Sequence, residues 1–323
     1  MKLEAKVIEQ LNDWGKNETP FGFLIDYKGE KPVIFRLDQS DKNLFWSIPD
    51  NGKSNSNRKP KTLLKWDTKP VRFSAFKKRF DHVQQAIHNG DTYLLNLTQP
   101  TLIETNLSLE DIFYSSSALY KIFYKNQFVC FSPETFIKIQ NGKILSYPMK
   151  GTIDASYKNA SQQILDDSKE IAEHNTIVDL IRNDMSLVAE NVTVEKFRFL
   201  SQIRANSRNL LQVSSEISGD LPTDYKGKIG DIIAAMLPAG SVTGAPKKKT
   251  LQIIEETENY DRGYYTGIFG IFDGENLDSC VLIRFIEEDK GQLIYKSGGG
   301  ITFLSDAEKE YDEMLKKVYV PII

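Results

Sequence analysis

Apolar and polar residues alternate along several short stretches of the chain, as they do in half-buried β-strands. The clearest stretch runs from Thr135 to Ser146, where two alternating segments flank Asn141-Gly142. Asn-Gly between such segments is a strong signal for a β-hairpin, because both residues tolerate positive φ. Further strands are predicted at 93–98, 127–131, 187–194, 264–272, 279–287 and 292–297. We expect Gly298-Gly299-Gly300 to end the last of them.

Other stretches have apolar residues at every third or fourth position, which is typical of amphipathic helices. In the segment 74–88, Phe76, Phe80, Val83 and Ile87 follow this spacing. Helices are also predicted at 108–121, 158–183, 228–235, 248–256 and 306–318.

These strands and helices do not alternate as regular βαβ units. The predicted fold class is therefore α+β, with large antiparallel sheets. The 323 residues contain no internal repeat and no clear linker, which predicts one large domain. Within it, we interpret residues 1–72 as a short β-rich N-terminal part with a polar loop at 50–61. Residues 73–323 form the main core.

Composition and charge exclude several classes of function. Hydrophobic residues make up 40% of the chain and charged residues 26%, close to an average soluble protein. The net charge of −3 argues against general binding to nucleic acids or anionic membranes, which requires a basic face. No apolar run approaches the roughly 20 residues that cross a bilayer, and the N-terminus lacks the apolar segment of a signal peptide. We therefore expect a cytoplasmic protein.

Cysteine and histidine usage agrees with this expectation. Cys130 and Cys280 lie in apolar, strand-like runs, where a buried free thiol in a reducing compartment is the simplest interpretation. The three histidines are too few and too scattered for a zinc site.

Lys150 follows the predicted hairpin, between Pro148 and Gly151. Pro148 has no N–H to donate, so it ends the strand pairing, and Gly151 permits a close approach of another backbone. A lysine in this position is either a solvated charge or a positioned amine. Because lysines are mostly exposed, the residue alone favours the surface interpretation.

Two pairs of carboxylates have matching spacing on predicted helices. Glu170 and Glu173 are three residues apart, and so are Glu310 and Glu313, which places both members of each pair on one helix face. If the two faces met, they would offer oxygen ligands to a hard cation such as Mg²⁺. Taken singly, each helix is better explained as a solvated acidic face, with Lys169 or Lys309 beside it.

Three further features are weak when each is considered alone. The run of glycines 298–300 exposes backbone N–H groups to an anion or forms a flexible turn. Arg284 lies in an apolar strand, where it points inward to an anion or outward to solvent. The loop 240–247 lacks the spacing of a phosphate-binding loop, since Ala245 stands where glycine is required, and we reject a nucleotide site.

Taken together, these stretches resemble the chorismate-utilising enzymes, and within them the large subunits of aminodeoxychorismate synthases. The matching motifs are Ser132-Pro133-Glu134, Pro148-Met149-Lys150-Gly151-Thr152 and the segments 173–184, 237–247 and 298–313. The resemblance covers about three-quarters of the chain. It implies a sandwich of two large, mostly antiparallel sheets flanked by helices, the anthranilate synthase component I-like fold, with residues 73–323 as the chorismate-binding catalytic core.

The resemblance also implies a role for individual residues. Lysine at position 150, where the similar anthranilate synthases have alanine, adds covalently to chorismate, and Glu134 is the general acid. Nucleophilic attack requires a neutral amine, and acid catalysis requires a protonated carboxyl group. Mg²⁺ is held by Glu173 and Glu313, supported by Glu170 and Glu310. The substrate-binding residues implied are Thr152, Tyr265, Arg284, Gly298, Gly300 and Lys317.

The implied product is 4-amino-4-deoxychorismate, a precursor of para-aminobenzoate and folate, with ammonia supplied by a separate glutaminase subunit. Two residues depart from the pattern of the family. Leu94 stands where isochorismate-type synthases have a lysine base and amine-adding members have glutamine, and Gln212 stands in place of a common histidine. Three alternatives remain: an anthranilate synthase, an isochorismate-type synthase, and a non-catalytic binding protein of the same fold.

Overall fold

The computed structural model describes residues 3–49, 64–205 and 208–322, with only the backbone at 203–205 and 208–210. The polar loop expected at 50–61 lies outside the described residues. The helices are α1 (Ala5–Lys16), α2 (Phe73–His88), α3 (Leu109–Ser115), α4 (Ala160–Asp166), α5 (Ser168–Met185), α6 (Ile229–Met236), α7 (Lys247–Thr257) and α8 (Ala307–Lys316).

The strands form two sheets. They are β1 (Phe21–Ile25), β2 (Val33–Arg36), β3 (Leu44–Ser47), β4 (Trp66–Lys69), β5 (Leu94–Thr105), β6 (Tyr120–Tyr124), β7 (Phe128–Ser132), β8 (Thr135–Gln140), β9 (Lys143–Ser146), β10 (Met149–Asp154), β11 (Glu190–Ala205), β12 (Arg208–Asp220), β13 (Gly244–Ala245), β14 (Ile268–Phe272), β15 (Leu277–Val281), β16 (Phe285–Asp289) and β17 (Gln292–Thr302).

Within the described residues, the first sheet has nine strands in the order β10-β12-β9-β8-β15-β14-β1-β2, with β11 paired to β12. The second has eight strands in the order β13-β5-β17-β16-β7-β6-β3, with β4 paired to β5. All the pairings are antiparallel, for example β1 with β14 and β5 with β17. This architecture confirms the predicted α+β class with two large antiparallel sheets.

Apolar side chains of the two sheets meet in a shared core. One buried cluster joins Phe269 and Cys280 of the first sheet to Cys130 and Phe285 of the second. Burial of such side chains contributes roughly 25 cal/mol per Å² of apolar surface, so this layer is a main source of stability. Both cysteines are buried free thiols, as predicted.

Two of the connections that lead from one sheet to the other lie next to each other. Pro133-Glu134 connects β7 to β8, and residues 282–284 connect β15 to β16. The Val281 amide donates to the Glu134 carbonyl at 3.1 Å, and the Phe131 amide donates to the Arg284 carbonyl at 3.1 Å. The single strand predicted at 279–287 is therefore wrong. Arg284 has a φ of 55°, and this left-handed conformation ends one strand and starts the next.

The expected break at Gly298-Gly299-Gly300 is also wrong. All three glycines lie inside β17, where they pair with Thr98, Leu97 and Asn96 of β5. Glycine disfavours strands, but pairing along the whole length of a neighbouring strand overrides this local preference.

The helices agree within one or two residues with the predictions at 74–88, 228–235, 248–256 and 306–318, and they differ at two other predicted ranges. The helix predicted at 158–183 is two helices, because the Asp167 side chain accepts the Glu170 amide and so starts α5. The helix predicted at 108–121 ends at Ser115, since Tyr120 already begins β6. The helix α1 and the strand β12 were not predicted, and the N-terminal part therefore contains a helix besides its strands. None of the helices in the described part is long and apolar enough to span a membrane.

Candidate active site

Lys150 lies in a β-bulge on β10. Met149 pairs with Ser214 and Thr152 pairs with Gln212, so two residues of β10 oppose one residue of β12. Bulges redirect side chains and are frequent beside active sites. The side chain of Lys150 is 17% exposed, and its Nζ lies 3.7 Å from Oε2 of Glu173. The surface interpretation of this lysine is therefore wrong.

Gly300 of the second sheet lies opposite the lysine. A Cβ atom at Gly300 would lie 3.0 Å from Oε2 of Glu173, 3.3 Å from Nζ of Lys150 and 3.6 Å from Cδ1 of Leu94. Only glycine leaves this space open. In the bulge, Gly151 has a φ of 81°, and a Cβ there would lie 3.0 Å from Oε2 of Glu170. The two glycines allow the two sheets and helix α5 to approach one another at the lysine.

The carboxylate faces of α5 and α8 meet, as the resemblance to the family implied. Lys169 lies between them, with its Nζ 3.3 Å from Oε1 of Glu173 and 2.7 Å from Oε1 of Glu310. The side chains of Glu173 and Glu310 are 5% and 3% exposed, so neither is part of a solvated acidic face. Lys169, which the sequence suggested to be a surface neighbour, is the cation that joins the two helices.

The other two carboxylates have opposite electrostatic environments. Burial, followed by the negative charge of Glu173, raises the pKa of Glu170 to about 7. Lys317 lies 2.8 Å from Oε1 of Glu313 and lowers the pKa of that carboxyl to about 2. The cluster thus contains one carboxyl group that is easily protonated and one that is firmly ionised.

The donor chemistry of this cluster suits a hard divalent cation. Four carboxyl groups approach one another from two helices, and oxygen ligands are those that Mg²⁺ prefers. In the described part of the chain, no three potential ligands form a ready-made metal cluster. Lys150, Lys169 and Lys317 supply three ammonium groups to the four carboxyl groups, so one negative charge remains in excess when all four are ionised. The glutamates therefore fit a magnesium ion, and their role as ligands stays a prediction.

Glu134 lies at the first crossing between the sheets. The Ser241 hydroxyl donates a hydrogen bond to its Oε1. Burial raises the pKa of Glu134, while Ser241 and the positive charges of Lys150, Arg284 and Lys317 oppose this rise. The raised pKa is the property that a general acid needs near neutral pH.

The predicted substrate-binding residues lie in different surroundings. Arg284, at the second crossing, is directed inward, and its Nε has no hydrogen-bond partner among the described residues. Its guanidinium lies 5.6 Å from the ring centre of Tyr319. Tyr265 is 3% exposed and packs 5.9 Å from Phe285. An inward arginine without a carboxylate partner is suited to a substrate anion.

Lys317 and Thr152 differ in how closely they join the site. The Lys317 ammonium donates to the carbonyl of Gly298 at 2.9 Å, which ties α8 to the run of glycines. Thr152 is exposed on β10, and among the described side-chain contacts none joins it to the lysine and the glutamates. Its predicted role has no geometric support beyond its position two residues after Lys150.

A buried histidine stands behind the lysine. His174 Nε2 lies 2.7 Å from the Ser215 hydroxyl, and the Arg198 amide donates to the same hydroxyl at 2.9 Å. Burial, followed by the charges of Arg198 and Lys150, lowers the pKa of His174 to about 4, so the ring is neutral at pH 7. Gln212, which replaces the expected histidine, is buried next to this group on β12.

Comparisons with known proteins identify the family of the chain. The model of the chorismate binding enzyme family matches residues 31–322. The chain belongs to this family. The "uncharacterized PabA-like protein" of Haemophilus influenzae is 50% identical over 98% of this chain and 96% of its own length. Aminodeoxychorismate synthase component 1 of Salmonella typhimurium is 28% identical over 95% of this chain and 68% of its own length.

The fold has a matching solved structure as well. Anthranilate synthase component I of Streptococcus pneumoniae superposes with a TM-score of 0.68 and 26% identity. The match covers 81% of this chain and 60% of that one. This likeness confirms the predicted anthranilate synthase component I-like fold.

Two residues of the site of this chorismate-binding enzyme were not predicted from the sequence. Ser241 lies in segment 237–247, which matched the family only as a motif, and its contact with Glu134 spans 107 positions. Lys169 was treated as evidence for a solvated helix face. A lysine immediately before the first glutamate of the pair, on the same helix, was the available signal for it.

Proposed function

We propose that this chain is the large subunit of an aminodeoxychorismate synthase, which converts chorismate and ammonia to 4-amino-4-deoxychorismate and water. The observation that supports this most directly is the bulged Lys150, whose amine faces Gly300 next to Glu173. A buried, positioned amine is the arrangement that nucleophilic catalysis by lysine requires. The named relative from Salmonella typhimurium supports the same choice.

In the proposed reaction, the amine of Lys150 forms a bond to C2 of the chorismate ring. The ring double bonds shift, and the C4–oxygen bond breaks as Glu134 donates its proton, so that water leaves. Ammonia then attacks C4, the double bonds shift back, and the C2–nitrogen bond to Lys150 breaks. The Glu134 carboxylate takes the surplus proton from the new amine, which restores the acid.

The remaining site residues would hold the substrate carboxylates. Arg284 offers a planar fork for one of them, and the strand segment Gly298–Gly300 lies next to the ammonium of Lys317. A magnesium ion bound by Glu173 and Glu313, with Glu170 and Glu310 in support, would neutralise the charge of the ring carboxylate. Leu94, which lies beside Gly300, has no basic group to activate water, and this disfavours isochorismate-type chemistry.

Ammonia would come from a separate glutaminase subunit. A glutaminase of the amidotransferase class needs a reactive thiolate, and a reactive thiol is partly exposed with a lowered pKa. Cys130 and Cys280 are both fully buried, and burial raises the pKa of each thiol. Neither cysteine of this chain suits that role, so we infer a partner for glutamine-dependent activity.

Product analysis is the direct test. With chorismate, ammonium and Mg²⁺, the purified chain should form a non-aromatic amine that retains the enolpyruvyl group, as identified by mass. Fluorescent anthranilate with release of pyruvate would instead assign an anthranilate synthase. A chain that binds chorismate without converting it would be the non-catalytic protein.

The covalent step has its own test. Intact-mass measurement of the wild-type chain with chorismate and Mg²⁺, without ammonium, should show a chorismate-derived adduct. Lys150→Ala should lose the adduct, whereas Lys158→Ala, which removes an exposed lysine, should retain it. An unmodified wild-type chain under these conditions would contradict nucleophilic catalysis by Lys150.

A further inference from the structure

The pair Arg262–Glu258 is buried immediately after helix α7. The side chains are each 2% exposed. Arg262 Nε donates to Oε2 of Glu258 at 2.7 Å, and one Nη donates to Oε1 at 2.7 Å, so the pair is bidentate. Neither residue is among those so far assigned to the site.

The other donors of the arginine reach three separate segments of the chain. One Nη donates to the carbonyl of Asn96 at 2.8 Å. The other Nη donates to the carbonyl of Val242 at 2.9 Å and to the hydroxyl of Thr266 at 3.3 Å. All five N–H groups of Arg262 therefore have an acceptor.

Glu258 adds a fourth attachment. Its Oε1 accepts the Thr98 amide at 2.7 Å and the Thr98 hydroxyl at 2.8 Å. Thr98 and Asn96 are the residues of β5 that pair with Gly298 and Gly300. The ion pair thus fixes the strand against which the proposed carboxylate-binding glycines are aligned.

The two remaining segments, at Val242 and Thr266, are also adjacent to residues that contact or belong to the predicted site. Val242 follows Ser241, which donates to the carboxyl group of Glu134. The Thr266 hydroxyl donates to the carbonyl of the preceding Tyr265 at 2.6 Å. Single hydrogen bonds of the guanidinium therefore reach the strand partner of Gly300, the residue after Tyr265 and the residue after Ser241, while Glu258 reaches the strand partner of Gly298.

A stabilising role alone explains this arrangement poorly. Replacing a buried ion pair by apolar residues is often neutral or favourable for stability, because desolvation offsets the attraction between the charges. The planar guanidinium, in contrast, offers five donors in fixed directions, which no other side chain provides. We propose that Arg262, held by Glu258, is a positioning residue that sets the relative placement of the glycines, Tyr265 and the Ser241–Glu134 contact. This inference rests on the proposed function, because it concerns the same chorismate site.

The first test is Arg262→Lys. Lysine retains the charge opposite Glu258, but a single ammonium cannot reach the carbonyls of both Asn96 and Val242. We expect a folded protein whose kcat/KM for chorismate falls about 10-fold to 100-fold, since small misplacements of catalytic groups have effects of this size. Retention of kcat/KM within threefold would overturn the inference.

The second test removes both charges, in Glu258→Gln with Arg262→Met. The glutamine oxygen can still accept the Thr98 amide, so the protein should fold even if Arg262→Lys does not. The matched control is Ile112→Val, a fully buried residue of α3 in a separate cluster of the core. The two variants are compared at the same decrease in Tm. The kcat/KM of the double variant should then fall at least tenfold, and that of the control should fall less than twofold. Equal activity losses in the two would show that the pair only stabilises the fold.

A third measurement distinguishes positioning from general damage. The Ser241 hydrogen bond favours the ionised form of Glu134, so its loss should move the alkaline limb of the pH–rate profile to higher pH. Lys150, Arg284 and Lys317, the cations around Glu134, are unchanged in both variants. An unshifted limb together with unchanged kcat/KM would refute the proposal.

These outcomes are separable from the failure of the proposed function. If the wild-type chain makes anthranilate, the proposed function is wrong, and the same variants are compared through the rate of anthranilate formation. If the wild-type chain neither binds nor consumes chorismate, both the proposed function and the positioning role are wrong.

Discussion

The Arg262–Glu258 pair and the cluster of Lys169, Glu173 and Glu310 are both buried ionic groups, but they differ in completeness. Every donor of Arg262 has an acceptor, and the pair has one positive and one negative charge. In the second group, one ammonium lies between two buried carboxylates.

The difference indicates how each group is used. Every donor of Arg262 already has an acceptor, so the Arg262–Glu258 pair has no free donor for a ligand. It is suited to holding neighbouring segments in place. A cluster with excess negative charge is stabilised further by any cation that enters it. Arg284 Nε and His174 Nδ1 also lack hydrogen-bond partners within the described chain, as do buried atoms outside the assigned site such as Trp66 Nε1.

The largest expected effect follows from removing the proton donor. Glu134→Gln should lower kcat by roughly 10²-fold to 10⁴-fold, the usual contribution of a general acid. Burial raises the pKa of Glu134, and the acid form is the active one, so wild-type activity should fall as pH rises through that pKa. The variant should lack this alkaline limb in its pH–rate profile. A loss of less than tenfold would assign the proton donor elsewhere.

Removing the Lys169 ammonium tests how far the carboxylate cluster depends on its cation. Lys169→Met leaves Glu173 and Glu310 without their shared partner, and we expect unfolding free energy to fall by about 3 kcal/mol in metal-free buffer. Urea unfolding with a chelator measures this change. Added Mg²⁺ should then stabilise the variant more than the wild type.

The control for this change is Lys77→Met, which breaks an exposed pair with Asp81. It should alter the free energy of unfolding by less than about 0.5 kcal/mol, with no dependence on Mg²⁺. If Lys169→Met resembled this control, the carboxylate cluster would not depend on its cation.

A somewhat smaller effect is expected from Glu170→Gln, and it depends on pH. Burial raises the pKa of Glu170 from its ordinary value of 4.5 to about 7 in the folded chain, so ionisation destabilises the fold as pH rises from 4.5 to 7. The variant should therefore gain up to about 3 kcal/mol at pH 8 in metal-free buffer, and little at pH 4.5. Glu256→Gln, on the exposed face of α7, should show no such pH dependence. A variant stabilised equally at both pH values would contradict the raised pKa.

The smallest effect concerns the space between the sheets. In Gly300→Ala, the new methyl group meets only the flexible ends of Glu173 and Lys150, so stability should change by less than about 1 kcal/mol. Activity should fall about tenfold because the amine is displaced. Gly227→Ala is the matched control, since its nearest atoms, in Lys16, lie at 3.8 Å and 3.9 Å and neither residue is assigned to the site. Equal kcat values for the two variants would show that Lys150 tolerates displacement.

Much of the fold could be predicted from local pattern. The hairpin at Asn141-Gly142 and the amphipathic helix α2 have signals confined to a few neighbouring residues, and both are confirmed. The spacing of the glutamate pairs predicted that both members of each pair share one helix face, but only the resemblance to the family implied that the two faces meet. The long strand through the glycines could not be predicted, because its stability comes from β5, almost 200 positions away.

The surroundings of the site residues were harder to predict from the sequence for the same reason. Burial of Lys169 and the contact of Ser241 with Glu134 depend on which segments meet, and residue type alone favoured the surface. The inward direction of Arg284 depends on its left-handed backbone, which the apolar pattern of the surrounding strand concealed.

The two adjacent crossings between the sheets limit how this molecule can vary. Glu134 and Arg284 occupy those crossings, while Lys150 belongs to one sheet and Gly300 to the other. Any insertion or deletion in either connection would shift the acid and the guanidinium relative to the amine and the glycine. A change in the length of a peripheral loop would leave this arrangement intact. The two short connections keep the site residues of one sheet aligned with those of the other.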